Sequence, residues 1–286
     1  MNHPKENARK NILVLGGTGK TGRRVIQRLT QRGLSVRSGS RSGTPPFDWE
    51  KPVTWQPVLA GVQSVYVAFQ PDLAVPGAVE TIRAFARAAV DCGVQQLVLL
   101  SGRGEPEARQ CEQVVMQSGL DWTILRCSWF CQNFCEGYLL EPLLAGHVVL
   151  PAGAVAEPFV DADDIADVAV AALTSNVHSG QVYELTGPRL LTFAEAVGEI
   201  ARAAGRSIGY EPVPLPAYAA SLSGYGVPES YVKLLEYLFG EVLDGRNASL
   251  GDGVERALGR KPTDFARYAR NTASTGVWQV PAGQQV

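Results

Sequence analysis

The chain has 286 residues, enough for one large α/β domain or for a domain with an added lobe. With 45% hydrophobic and 19% charged residues it has the composition of a globular protein, which excludes disorder of the whole chain. A net charge of −2 and a pI near 6.0 argue against nucleic acid or an acidic membrane as the main partner.

Residues 1–10 are polar and charged, unlike a secretory leader, and no apolar run approaches the ~18 residues of a membrane span. Five cysteines without a secretory context predict reduced thiols in a cytoplasmic protein. Residues 1–9 are expected to fray. Residues 12–15 (ILVL) then predict a short buried strand, followed by Gly16, Gly19 and Gly22 at spacing three. Residues 20–30 predict a helix with Val25, Ile26 and Leu29 on its apolar face. A strand that turns through glycines into a helix N-terminus gathers free N–H groups and a positive dipole end, which makes a phosphate site. Gly19-Lys20-Thr21 also spells the end of a triphosphatase P-loop, but Val14 stands where that motif needs its first glycine. The glycine spacing favours a dinucleotide site instead.

Gly33 closes the first helix, and residues 34–38 predict the second strand. A strand in this place that serves NAD ends in a carboxylate for the ribose hydroxyls. Here Ser40 and Arg41 follow it, and they suit a 2′-phosphate. The expected cofactor is therefore NADPH/NADP+. Residues 47–49 (FDW) are placed along the adenine, and a short helix is expected at 55–59. Further strands are predicted at 64–69, 96–100 and 122–125, and helices at 79–89 and 107–117. This alternation predicts an α/β fold, a Rossmann-type doubly wound parallel sheet. From Ser128 the chain becomes aromatic and loosely periodic (SWFCQNFCEGYLL), with a strand at 148–150. Residues 159–161 are expected to return to the sheet, with Asp163 or Asp164 capping the next helix. A strand at 183–186, a helix from the Thr192 cap to 204, and helices at 217–222 and 229–243 complete a small C-terminal substrate lobe. The Rossmann domain is expected over 10–176, with 127–150 contributing to the lobe and 177–271 forming most of it. Residues 272–286 are expected to be a disordered tail.

The motifs GGTGKTG, FDW, GLDWTILR, SWFCQNF, FVDADDIADVA and YELTGP, in this order, resemble those of the NmrA-like, atypical short-chain dehydrogenases. More narrowly they resemble the subfamily of the ergot-alkaloid reductases and their bacterial relatives, over about residues 10–270. The resemblance implies a cofactor site at Gly16, Thr18, Gly19, Lys20, Thr21 and Gly22 for the pyrophosphate, with Ser40 and Arg41 at the 2′-phosphate. It places Ala68, Phe69, Gln70 and Ser101 beside the ribose and nicotinamide, and Phe130 and Asn133 at the border of nicotinamide and substrate. One departure is Cys127, where the family usually has proline.

The Tyr-x-x-x-Lys pair of ordinary short-chain dehydrogenases is missing, since Gly104 and Ala108 stand at the corresponding positions. Ketone reduction makes an alkoxide and needs a positioned acid, whereas an iminium is already cationic and needs none. The leading expectation is thus an NADP-dependent oxidoreductase acting on an iminium or other unsaturated small molecule in secondary metabolism, with an aromatic or heteroaromatic substrate. The rivals are an NADPH-sensing regulator and a non-redox catalyst of cyclisation or dehydration. Trp129, Phe130, Asn133, Phe134 and Tyr138 are expected to form the substrate pocket, with Ser101 and Tyr138 as candidate catalytic hydroxyls. Tyr225 and Tyr231 are further candidates for the lobe wall, and Arg109 and Glu112 read as a solvated pair on their helix. Cys127, Cys131 and Cys135 recur at spacing four with only His147 near them, and are expected to be buried rather than metal ligands. His3 and His178 read as tail and loop residues. The motifs single out no substrate and no oligomeric state.

Overall fold

In a computed structural model the structure describes residues 11–280, so His3 and the ends of both expected tails (1–10 and 281–286) lie outside the described residues. The chain runs β1 (Asn11–Leu15), α1 (Gly22–Gln31), β2 (Ser35–Gly39), α2 (Trp55–Leu59), β3 (Ser64–Val67), α3 (Ala78–Asp91), β4 (Gln96–Gly102) and α4 (Pro106–Met116). It continues as β5 (Asp121–Cys127), α5 (Leu140–Ala145), β6 (His147–Leu150), β7 (Ala156–Glu157), α6 (Ala162–Thr174) and β8 (Gln181–Leu185). The last elements are β9 (Leu191–Thr192), α7 (Phe193–Ala204), β10 (Gly209–Pro212), α8 (Leu215–Gly224), α9 (Glu229–Tyr237), α10 (Gly253–Leu258) and α11 (Phe265–Ala273). No helix among the described residues is long and apolar enough to cross a membrane.

The chain forms two compact units. The first comprises the chain up to Arg126 together with Ile165–Tyr183. Its six-stranded sheet has the order β2-β1-β3-β4-β5-β8, and β1 pairs in parallel with both β2 and β3, as β3 does with β4. All four residues of β3 are buried, as are the last four of β1, because helices cover both faces of such a sheet. After β1 the chain steps to β2 on one side, then crosses back to β3 on the other. That reversal opens a crevice at the carboxyl ends of β1 and β3, where α/β sheets of this kind bind ligands.

The second unit comprises Cys127–Asp164 and the chain from Glu184 onward. Phe134, Phe159, Phe193 and Phe265 pack at its centre with ring centroids 5.0–6.1 Å apart. Helix α7 starts on a capping box in which Thr192 accepts from the Glu195 N–H and Glu195 accepts from the Thr192 N–H, so the predicted cap is present.

Three expectations are corrected here. Residues 159–161 do not rejoin the main sheet: Val160 makes only an isolated parallel bridge with Phe130. Pro158 before it and α6 after it leave too short a run for a strand. The cap of α6 is Asp161, whose carboxylate accepts from the Asp163 N–H at 2.9 Å. Asp164 instead turns inward and accepts from Arg260 (2.7 Å) and from the Thr263 N–H (2.6 Å). Residues 272–280 are not frayed: Trp278 is fully buried and its indole N–H donates to the Phe134 carbonyl at 2.9 Å. His178 lies in the connection between α6 and β8, as expected, and is buried there with Nδ1 2.8 Å from the Tyr183 hydroxyl.

Candidate functional site

The glycine turn is built by close approach. Gly16 has φ +66°, in the left-handed region that favours glycine, and a Cβ there would sit 3.1 Å from the Ala68 Cβ. A Cβ on Gly22 would collide with the Gly16 carbonyl oxygen, so only glycine lets α1 start this close to the turn. The Gly19 N–H donates to the Gly16 carbonyl at 2.8 Å and closes the loop. No acidic residue stands in the first turn of α1, so its positive dipole end meets no competing carboxylate there. The backbone cradle and the bare helix end fit a pyrophosphate.

Beside the turn lies a cavity of about 300 Å³. Gly16 and Thr18 line it from the turn after β1, Gly39, Ser40 and Arg41 from the end of β2 and the segment after it, and Gln70 and Pro71 from the segment after β3. The FDW segment closes it, with Trp49 held by Phe47, Phe69 and Phe85 at centroid distances of 4.8–5.1 Å. Five expected cofactor residues thus share one cavity: Gly16, Thr18, Ser40, Arg41 and Gln70. Asp48 and Glu50 also line it, and neither was expected to contact the cofactor by its carboxylate. Asp48 is engaged locally, accepting from the Glu50 N–H at 3.1 Å and lying 3.5 Å from the Lys51 ammonium. Gly19, Lys20, Gly22 and Ala68 belong to the turn and the strand ends rather than to this lining. Thr21 turns inward, buried with its hydroxyl 2.9 Å from that of Tyr66, so its side chain is not offered to a phosphate. Phe69 is the ring behind Trp49.

Ser101, at the end of β4, is 4% exposed and donates to Glu112 Oε1 at 2.7 Å. Arg126 at the end of β5 grips the same carboxylate through two nitrogens, at 3.0 and 2.6 Å. The expected solvated pair of Arg109 and Glu112 is therefore wrong for Glu112, which is buried. The signal was present in the sequence, since Glu112 falls on the face of α4 that also buries Ala108, Cys111 and Val115. An ionised carboxylate held by arginine keeps the Ser101 proton pointed at itself, so Ser101 is placed to accept a hydrogen bond rather than to donate one. Nearby, Asp72 and Glu105 share a carboxyl–carboxyl hydrogen bond. Glu105 packs flat on Gly102, where any Cβ would strike its carboxyl oxygens. Burial first, and Asp72 second, push Glu105 up to about 9, so the pair keeps one proton at neutral pH.

In the second unit, Gln132 ties two of the motifs together. It donates to Asp161 at 2.7 Å and accepts from the Ala162 N–H at 2.7 Å. With the Cys131 N–H to Val160 and Val160 N–H to Trp129 bonds, both 2.9 Å, it fixes the backbone of Trp129 and Phe130. Trp129 packs at a tilt against Phe239 (5.0 Å) and edge-on against Phe193 (5.3 Å). Phe134 is 0% exposed at the centre of the core and lines no accessible pocket, which removes it from the expected substrate wall. Tyr225 is 84% exposed. Asn133, Phe130 and Tyr138 remain partly exposed. Cys127, Cys131 and Cys135 are buried, and no group of three or more His, Cys, Asp or Glu among the described residues is arranged to hold a metal ion.

A sheet reversal, a glycine cradle and an adjoining cavity with arginine at its rim define a dinucleotide-binding Rossmann protein. The chain belongs to the NAD(P)H-binding family, whose model matches residues 16–176. Over 284 residues it is 31% identical to an NAD(P)H azoreductase of Xenophilus azovorans, covering 92% of this chain and 98% of that one. It is 27% identical over 289 residues to agroclavine dehydrogenase of Claviceps fusiformis, covering 93% and 98%. The solved triphenylmethane reductase of Citrobacter sp., complexed with NADP(H), has the same fold, with a TM-score of 0.73 at 21% identity over 92% of this chain and 99% of that one. The NmrA-like, atypical short-chain dehydrogenase resemblance read from the motifs stands.

Proposed function

We propose that the protein is an NADPH-dependent reductase that passes hydride to an iminium or another unsaturated, aromatic or heteroaromatic small molecule, in cytoplasmic secondary metabolism. The observation that carries this is the end of β2: Ser40 and Arg41 line the cavity beside the glycine turn, with no carboxylate on that strand end. A guanidinium and a hydroxyl there suit a 2′-phosphate. The relatives named as an azoreductase and an agroclavine dehydrogenase support reduction as the chemistry.

NADPH, when bound, would supply the hydride. The chain's own part is to cradle the pyrophosphate at Gly16–Gly22, hold the 2′-phosphate at Arg41 and keep Ser101 oriented through Glu112. With no Tyr-x-x-x-Lys pair and the Ser101 proton taken by Glu112, the arrangement favours a product that needs no oxyanion stabilised. The test is titration with NADPH and NADH, followed by absorbance at 340 nm with a panel of C=N, N=N, C=C and C=O acceptors. Tighter NADPH binding and consumption by at least one acceptor are expected. Binding without consumption would give way to the sensor reading.

A further inference from the structure

Tyr138 lies in the second unit, between the Cys131–Phe134 turn and α5. Its ring is partly exposed, yet its hydroxyl is sealed from solvent and has no hydrogen-bond partner among the described residues. Two other phenols, Tyr218 on α8 and Tyr231 on α9, lie near enough to act on this hydroxyl electrostatically. Tyr218 packs on Phe239 at 5.7 Å and Phe239 on Trp129 at 5.0 Å, so these three rings form a continuous aromatic wall in the same unit. A buried hydroxyl without a partner destabilises a fold, and phenylalanine would fill the same space without that penalty.

We infer that the Tyr138 hydroxyl, covered by α8 and α9, is the polar anchor of the substrate site and donates to a neutral acceptor atom on a planar aromatic ligand. The acceptor is a carbonyl oxygen or an azo or ring nitrogen. This rests on the reductase reading and narrows its substrate class. Burial holds the Tyr138 phenol well above its ordinary value and pushes Tyr218 up to about 12, so both present O–H groups at neutral pH. A cationic iminium meets no negative charge from these two phenols and gains only the ring faces. The ligand reaches the hydroxyl by displacing α8 and α9, whose connection, residues 225–228, contains Gly226 at φ +76°.

The experiment compares the wild type with Tyr138→Phe, using the full chain and three bicyclic probes: coumarin (a neutral carbonyl), 1,2-dihydronaphthalene (no acceptor) and N-methylquinolinium (a cation). Binding is read by calorimetry and folding by thermal denaturation. The wild type should prefer coumarin by about tenfold, as one hydrogen bond implies. Tyr138→Phe should lose that preference, bind NADPH unchanged and melt no lower than the wild type. A lower melting temperature would show a hydroxyl satisfied within the fold and overturn the inference. So would a preference that survives the substitution, a wild type with no preference, or a wild type that prefers the cation. Tyr138-dependent coumarin binding in a protein that consumes NADPH with no acceptor would leave this anchor standing and overturn the reductase reading instead.

Discussion

Arg41 and Glu112 show how one charged side chain takes opposite roles according to what surrounds it. Arg41 stands at the rim of an open cavity, where it can meet an incoming phosphate. Arg41→Ala should weaken NADPH by about 10–100-fold, the worth of one or two charge-assisted hydrogen bonds, and leave NADH unchanged; fluorescence titration of both cofactors checks it. Glu112 is sealed against Arg126 and Ser101, with 1% of its side chain exposed. Breaking one partner of a buried pair leaves the other charge uncompensated. Glu112→Gln should therefore cost about 3 kcal/mol in urea unfolding, a loss that substitution of the exposed Arg109 would not produce.

At the scale of elements, the loop after β3 and the start of α4 meet through the Asp72–Glu105 proton. Folded Glu105 keeps its proton up to about pH 9, whereas the unfolded side chain releases it near 4.5. The folded state therefore binds more protons across that window, and stability falls as pH rises through it. The contribution is complete below about pH 4.5, and its loss is complete above about 9, with a slope of at most about 1.4 kcal/mol per pH unit. Glu105→Gln should flatten the dependence of unfolding free energy on pH between 5 and 9, measured by denaturant titration at each pH. Asp72 on the loop and Glu107 and Glu112 on α4 all raise Glu105, so a charge formed on it above that window meets repulsion from them.

At the scale of the whole molecule, the C-terminal segment is part of a core rather than an appendage. Arg206 donates to the Trp278 carbonyl at 2.8 Å and to the Leu144 carbonyl at 2.9 Å, and the indole is anchored on Phe134. Arg189 locks α11 from the other side, bonding Asp264 at 2.6 Å and Glu199 at 2.7 Å. Trp278→Ala should cost about 3–5 kcal/mol, the usual range for emptying a fully buried indole site, seen as a drop in melting temperature. The same loss should follow from ending the chain before residue 278.

Much of the first unit was legible because its signals are local. Short apolar runs marked the strands, the glycine spacing marked the turn, and the residues after β2 indicated which phosphate the site suits. The Thr192–Glu195 capping box was equally local, its partners being three residues apart. The sequence by itself therefore determined the Rossmann architecture and the position of the glycine turn. It did not show that Glu112 meets Arg126, that Asp72 shares a proton with Glu105, or that Trp278 seats on Phe134 across 144 residues. Periodicity tells which face of an element is buried, but not which element will cover it. Partners, shared protons and the sealed hydroxyl of Tyr138 were decided only by tertiary packing, because each depends on distances between segments that no local pattern encodes.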